Sequence, residues 1–302
     1  MSTDWGSKPL VLDGGVGSYL GRAEPVPFAK DPLWSSRLLI TDPERVKACH
    51  AAYAEAGADL VTSNSYQASI HHLRPIVQQP SKVLEKSVAL VREAVQGKAK
   101  VVGSVGPYAV VLSDGSEYHG RYISSVPEQT IIDYYSGQIR GLTSADWLAF
   151  ETMPSLAEAR LALKALRQLK EEGLRLPKAW LSFTCQDAAN LGHGEAFSTA
   201  AQEIWGSGEV AAVGINCTSP ELLTPLLESA LALAPGLPFV LYPNSGQAWD
   251  QTRGYYGQNK ASGEFLKREL RRWVELGAKV VGGCCQLGPE WVHLLRTSID
   301  SL

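Results

Sequence analysis

Eight short apolar runs, each followed by a loop and then a helical pattern, constrain this chain more than any other feature. They are Leu10-Val11-Leu12, Asp59-Leu60-Val61-Thr62, Lys100-Val101-Val102-Gly103, Trp147-Leu148-Ala149-Phe150, Ala179-Trp180-Leu181-Ser182-Phe183, Ala211-Ala212-Val213-Gly214-Ile215, Pro238-Phe239-Val240-Leu241-Tyr242 and Lys279-Val280-Val281. Most show no polar alternation, as strands covered on both faces do not. Between them, Thr41-Asp42-Pro43-Glu44 reads as a capping box with proline at the first helical position, and Gly57 as the stop. Ser81 opens a helix with Leu84, Val88, Val91 and Val95 on one face. Ser155-Leu156-Ala157-Glu158 is a second capping box. Pro225 fits only the first turn of a helix that starts near Thr224, and Phe265 to Leu276 forms another, closed by Gly277.

Eight strand–helix units in 302 residues predict an α/β fold, a single (β/α)₈ TIM barrel spanning residues 1–302 as one domain. The alternative, a doubly wound open sheet, calls for a glycine-rich phosphate turn after the first strand. Gly14-Gly15-Val16-Gly17 lacks the G-x-G-x-x-G spacing. Three strand-to-helix connections are long, Gly14–Ile40, Gly106–Ser125 and Pro243–Ser262. In a barrel they lie on the C-terminal face, where active sites are built. A net charge of −3 offers no basic field for nucleic acid or an anionic membrane. No run is long enough for a membrane span, and Met1–Pro9 has no apolar signal core. Five cysteines without a signal indicate reduced thiols and a cytoplasmic protein.

The predicted strand ends carry Asp13, Asn64, Ser104, Glu151, Thr184, Asn216-Cys217, Pro243-Asn244 and Cys284-Cys285. Three thiolates at Cys217, Cys284 and Cys285 suit a zinc ion with one open position. Read alone, the adjacent pair also fits two small buried residues or a redox-active dithiol. Cys49 falls inside a helix and reads as core; Cys185 ends the fifth strand without a second feature to make it a ligand. A zinc site of this kind would bind a substrate thiol as thiolate, ready to take an alkyl group from an electrophilic donor. Asp13 and Glu151 could hold an ammonium on that substrate. The backbone N–H groups of Gly14 and Gly15 could receive its carboxylate. The plainer readings are a turn residue for Asp13 and a partner of a barrel-lining arginine for Glu151.

Taken together, LDGGVGSYL at 12–20, DPLWSSRLL at 31–39, SYQAS at 65–69, GSVGPYAVVLSDGSEYHGRY at 103–122, ETMPS at 151–155, SFT at 182–184, GINC at 214–217, YPNSG at 242–246 and GGCC at 282–285 resemble the homocysteine S-methyltransferases, in particular short members that use sulfonium donors. The resemblance implies zinc-dependent methylation of L-homocysteine to methionine on a (β/α)₈ barrel. Cys217, Cys284 and Cys285 fall on the family's zinc cysteines, and Asp13 and Glu151 on the acidic residues around the homocysteine amino group. Asn216 is taken with Cys217 as part of the substrate site. Asn244 lies where a family asparagine sits near the metal, a stand-in ligand before substrate arrives. One departure is that Gln286-Leu287-Gly288-Pro289 replaces the arginine, threonine, threonine and proline that follow the pair in most relatives.

Betaine-using relatives are expected to be longer, and cobalamin- or folate-dependent ones to carry further domains. That reasoning leaves S-methylmethionine or S-adenosylmethionine as donor, a sulfonium cation that the aromatic faces of Trp34, Tyr66, Tyr108 or Tyr242 would attract. The chain is expected to act as a monomer or weak homo-oligomer on small molecules. The rival readings are a methyltransferase for selenocysteine or another thiol, and a non-catalytic zinc or thiol-redox barrel.

Overall fold

The computed structural model describes residues 5–22, 31–250 and 254–302. Parts of two predicted long connections, 23–30 and 251–253, lie outside the described residues. All eight apolar runs are strands: β1 (Leu10–Val11), β2 (Leu60–Thr62), β3 (Lys100–Val105), β4 (Trp147–Met153), β5 (Lys178–Phe183), β6 (Ala212–Asn216), β7 (Phe239–Tyr242) and, after a hairpin of β8 (Ala248–Asp250) and β9 (Gly254–Tyr256), β10 (Ala278–Val281). The eight barrel strands pair in parallel in the order β1-β10-β7-β6-β5-β4-β3-β2. A parallel bridge from Leu12 to Leu60 closes the ring, with Asp13 N–H donating to the Leu60 carbonyl at 3.0 Å. The fold is a (β/α)₈ barrel.

The buried runs divide into two layers, as their lack of alternation requires. Leu12, Leu60, Val102, Trp147, Ala149, Trp180, Ala212, Val240, Tyr242 and Val280 fill the interior. Trp5 stacks on Trp147 at 5.2 Å between ring centres. The opposite strand faces, with Val61, Val101, Leu148, Leu181, Val213 and Leu241 among them, pack on the helices.

Helix starts follow the proline signals more closely than the serine and threonine ones. Helix Pro43–Glu55 is capped by Asp42, whose carboxylate accepts the Arg45 N–H, and not by Thr41. Proline fixes the first helical φ, so the residue before it takes the cap. For the same reason Pro80 opens helix Pro80–Val95 and Ser81 lies inside its first turn. Pro225 occupies the first turn of helix Leu223–Leu233, as predicted. At helix Leu156–Glu171, Ser155 accepts the Glu158 N–H as a capping box requires. The Glu158 carboxylate does not complete the box. It binds the Tyr108 N–H and the hydroxyls of Tyr122 and Tyr135. The third connection, expected as a long loop, contains the β8–β9 hairpin.

Candidate active site

Cys217 follows β6 directly, and Cys284-Cys285 follow β10 after two glycines. With only β7 between β6 and β10, the three sulfurs come within 4.8 Å of one another. Cys285 Sγ is 3.9 Å from both partners, while Cys217 and Cys284 are joined as a disulfide with Cα atoms 5.7 Å apart. Zn–S bonds of about 2.3 Å in a tetrahedron set sulfurs about 3.8 Å apart. The two Cys285 distances fit that edge. Once Cys217 and Cys284 are reduced, a rotation of either thiol opens the third. Three soft donors on one side of an otherwise carboxylate- and hydroxyl-lined barrel mouth are a fit for such an ion. Cys49 and Cys185 are buried and belong to no such group among the described residues. Burial raises the pKa of both thiols.

The backbone here is strained. Left-handed φ values outside glycine occur at Thr152 (59°), Cys217 (48°) and Gln286 (68°), the residue after Glu151, the first sulfur and the residue after the pair. Such positions cost roughly 1–3 kcal/mol each and persist only when surrounding bonds hold them. Each has its brace. The Asn216 amide accepts the Thr152 N–H at 2.7 Å and donates to Thr152 Oγ1 at 2.8 Å. Asn244 Nδ2 donates to the Cys217 carbonyl at 3.1 Å, and its Oδ1 accepts the Gly246 N–H at 2.8 Å. Ser18 Oγ accepts the Gln286 N–H at 3.0 Å. Asn216 and Asn244, expected as substrate contact and stand-in ligand, therefore spend their amides on positioning the turns that carry Glu151 and Cys217.

Asp13 and Glu151 both lie buried at the barrel mouth. Asp13 Oδ2 accepts the N–H and the hydroxyl of Thr62, each at 2.8 Å. Burial raises its pKa well above the usual carboxylate range, more than these two bonds lower it, and the Glu151 charge adds to the rise. Glu151 accepts from Ser104 Oγ and lies beside the Tyr242 hydroxyl. Burial pushes its pKa up to about 7, with those hydroxyls pulling it back in part. Its described partners include no arginine, contrary to the plainer reading. Among the described residues neither carboxylate is paired with a lysine, arginine or histidine, and buried carboxylates in that state favour the approach of a cation.

Of the two glycines expected to receive a carboxylate, Gly15 has its N–H engaged within the fold. Gly15 N–H donates to the Leu287 carbonyl at 2.9 Å, which removes it from any substrate carboxylate. A side chain at Gly14 would place its Cβ 2.1 Å from the same carbonyl oxygen. Gly282 is likewise pressed on β1, its would-be Cβ 2.7 Å from that of Leu12. These residues let the 284–287 turn, sulfurs included, lie flat on the end of β1. Gly14→Ala is accordingly expected to cost ~1–3 kcal/mol of stability by overpacking, read as a lower urea midpoint at unchanged slope. An unchanged midpoint overturns the account of Gly14. Gln286-Leu287-Gly288, the departure from most relatives, supplies that carbonyl, and Pro289 opens the last helix, Pro289–Asp300.

The homocysteine S-methyltransferase family pattern matches residues 10–299. The chain belongs to the homocysteine S-methyltransferase family. Homocysteine S-methyltransferase 1 of Brassica oleracea var. italica is 35% identical over 96% of this chain and 93% of its own. The betaine-homocysteine S-methyltransferase of Drosophila melanogaster is 31% identical over 99% of this chain and 97% of its own. The crystal structure of the homocysteine methyltransferase MmuM from Escherichia coli in its metallated form superposes with a TM-score of 0.80 at 31% identity, covering 96% of each chain. The protein is thus a methyltransferase that methylates the homocysteine sulfur to give methionine. The Drosophila relative is matched over nearly its whole length, so length does not separate this chain from a betaine-named one, contrary to the expectation from sequence.

Of the four aromatics singled out as cation faces, Tyr66 has its hydroxyl bonded to Thr152 and near Glu151, and Tyr242 bonds Glu151 itself. Tyr242 lies inside the barrel, its hydroxyl accepting from Trp180 Nε1 at 3.3 Å. Tyr108 packs edge-on against Tyr134 with ring centres 5.6 Å apart. Trp34, another left-handed residue at φ 45°, covers Gly17 on the first connection. Sequence reasoning missed the bracing roles of Thr62, Ser104, Thr152 and Ser18, which are small polar residues without a motif of their own.

Proposed function

We propose that this family member transfers a methyl group from a sulfonium donor, S-methylmethionine or S-adenosylmethionine, to L-homocysteine, with zinc held by Cys217, Cys284 and Cys285. The observation that carries the reading is the meeting of three sulfurs with two buried, cation-free carboxylates at one barrel mouth. When bound by these three sulfurs, zinc would supply positive charge beside the acceptor thiol and favour its thiolate form at neutral pH. Asp13 and Glu151 take the acceptor's ammonium, and Gly14 N–H its carboxylate. Asn216 and Asn244 hold Thr152 and Cys217 in their strained turns, so the acceptor sulfur and its ammonium are fixed from two sides. The donor's methyl carbon then lies in line between that sulfur and a neutral thioether leaving group, and positioning and exclusion of water supply most of the acceleration. Three thiols that must remain reduced to bind metal suit the cytosol.

A product assay with homocysteine and S-methylmethionine, S-adenosylmethionine or betaine in turn tests the donor. Methionine is expected with a sulfonium donor, lost after exhaustive chelation and restored by zinc. Turnover with betaine alone overturns the donor assignment, and turnover unaffected by chelation overturns the zinc one. Selenocysteine as acceptor is a control: a selenol is far more acidic than a thiol, so its methylation should depend less on zinc.

A further inference from the structure

The second long connection carries a short 3₁₀ turn, Ser116–Tyr118, whose position the reaction described above does not explain. Its backbone is linked through Gly192 and Thr184 to the turn that carries Cys217. The Tyr118 carbonyl oxygen lies 2.4 Å from where a Cβ on Gly192 would be, so only glycine admits it. Gly192 N–H donates to the Thr184 carbonyl at 3.0 Å, and Thr184 Oγ1 reaches the Cys217 carbonyl at 3.5 Å. On the other side Gly120 fits against Pro154, just past Glu151 and Thr152. The connection is moored at both ends by Glu158, fully buried, through the Tyr108 N–H at 2.6 Å and the Tyr122 hydroxyl. A loop fixed this firmly presents its side chains in a defined place. Tyr118 keeps 48% of its surface exposed there, within electrostatic reach of Cys285. Glu117 is half-buried, within electrostatic reach of Tyr66 and Tyr118. Its carboxylate accepts from its own N–H and has Asp114 nearby, and among the described residues no lysine, arginine or histidine pairs with it.

We propose that this turn is the wall of the methyl-donor subsite, with the Glu117 carboxylate facing the donor's positive charge and the Tyr118 ring its sulfonium methyl groups. The inference rests on the sulfonium-donor reading above and gives that donor a place. The donor carries one more positive charge than the zwitterionic acceptor. Asp13 and Glu151 serve the acceptor's ammonium, which leaves Glu117, without a cationic partner among the described residues, to face the donor's charge. Aromatic faces and carboxylates together attract alkylated cations.

Steady-state kinetics of the zinc-loaded full chain with S-methylmethionine and with S-adenosylmethionine, at saturating homocysteine, test it. Glu117→Gln is expected to raise the donor KM about tenfold or more, the range for losing a bond to a charged group. Tyr118→Ala should act in the same direction, while Tyr118→Phe, which keeps the ring, should resemble wild type. Homocysteine affinity measured by calorimetry without donor, and zinc content, should not move in any variant. The donor KM of Glu117→Gln should also lose part of its dependence on ionic strength. An unchanged donor KM in both Glu117→Gln and Tyr118→Ala overturns the subsite alone, as does a fall in homocysteine affinity of equal size. A wild-type enzyme inactive with both sulfonium donors overturns the donor reading, and the subsite with it.

Discussion

Cys217→Ser is expected to hold well below one zinc per chain and to lose at least about a hundredfold in methyl transfer. Changes to residues that merely orient a ligand already reduce metal affinity by about 10- to 100-fold, and this change removes a ligand. The sulfurs of Cys217, Cys284 and Cys285 lie within 4.8 Å of one another, on the ends of β6 and β10, with only β7 between them. No fourth thiol stands close enough to take over among the described residues. Serine preserves the volume and the strained φ of 48°, so the turn survives and the loss reports ligation. Cys49→Ser and Cys185→Ser are the controls, since both thiols are buried away from the group. Elemental analysis of the purified variants decides the matter. Stoichiometric zinc in Cys217→Ser takes residue 217 out of the ligand set and leaves the proposed chemistry without its metal.

The barrel was legible because each buried strand must be apolar on both faces, and nothing else in the chain produces eight such runs at this spacing. The sulfurs were legible because a barrel gathers strand ends on one face, so Cys217 and Cys284-Cys285 had to be neighbours once the strands were placed. What lay beyond the sequence is long-range. The amides of Asn216 and Asn244 looked free for ligands, and only the folded chain shows them spent on Thr152 and Cys217. Gly15 looked like an anion cradle because the Leu287 carbonyl that occupies it comes from 272 residues further on. Left-handed φ at Thr152, Cys217 and Gln286 has no local signal, since none of these residue types favours it. Thr41 and Ser81 misled as caps because Pro43, two residues after the one, and Pro80, just before the other, decide where each helix can begin.

The second large effect concerns Glu151, and its sign with pH separates it from a structural role. Glu151→Gln is expected to raise the KM for homocysteine by about tenfold to a hundredfold, the range for losing a charged hydrogen bond, with zinc content unchanged. Asp13→Asn should act in the same direction. In the folded, ligand-free protein the Glu151 carboxyl has its pKa raised by burial from 4.5 to about 7. The native state therefore holds more protons than the unfolded chain between those values, and stability falls as pH rises through that window. The penalty is on the order of 3 kcal/mol and is fully present above about pH 7. Acceptor binding runs the other way. The ammonium needs the carboxylate form, so homocysteine binding weakens as pH drops below about 7 while the free fold gains stability. The Glu151 share of both opposed slopes should disappear in Glu151→Gln, which cannot ionise, leaving the share that buried Asp13 contributes. Melting curves and homocysteine titrations of wild type and variant between about pH 5.5 and pH 8 read them side by side, and slopes as steep in the variant as in wild type assign the titration to another group and remove Glu151 from the acceptor site.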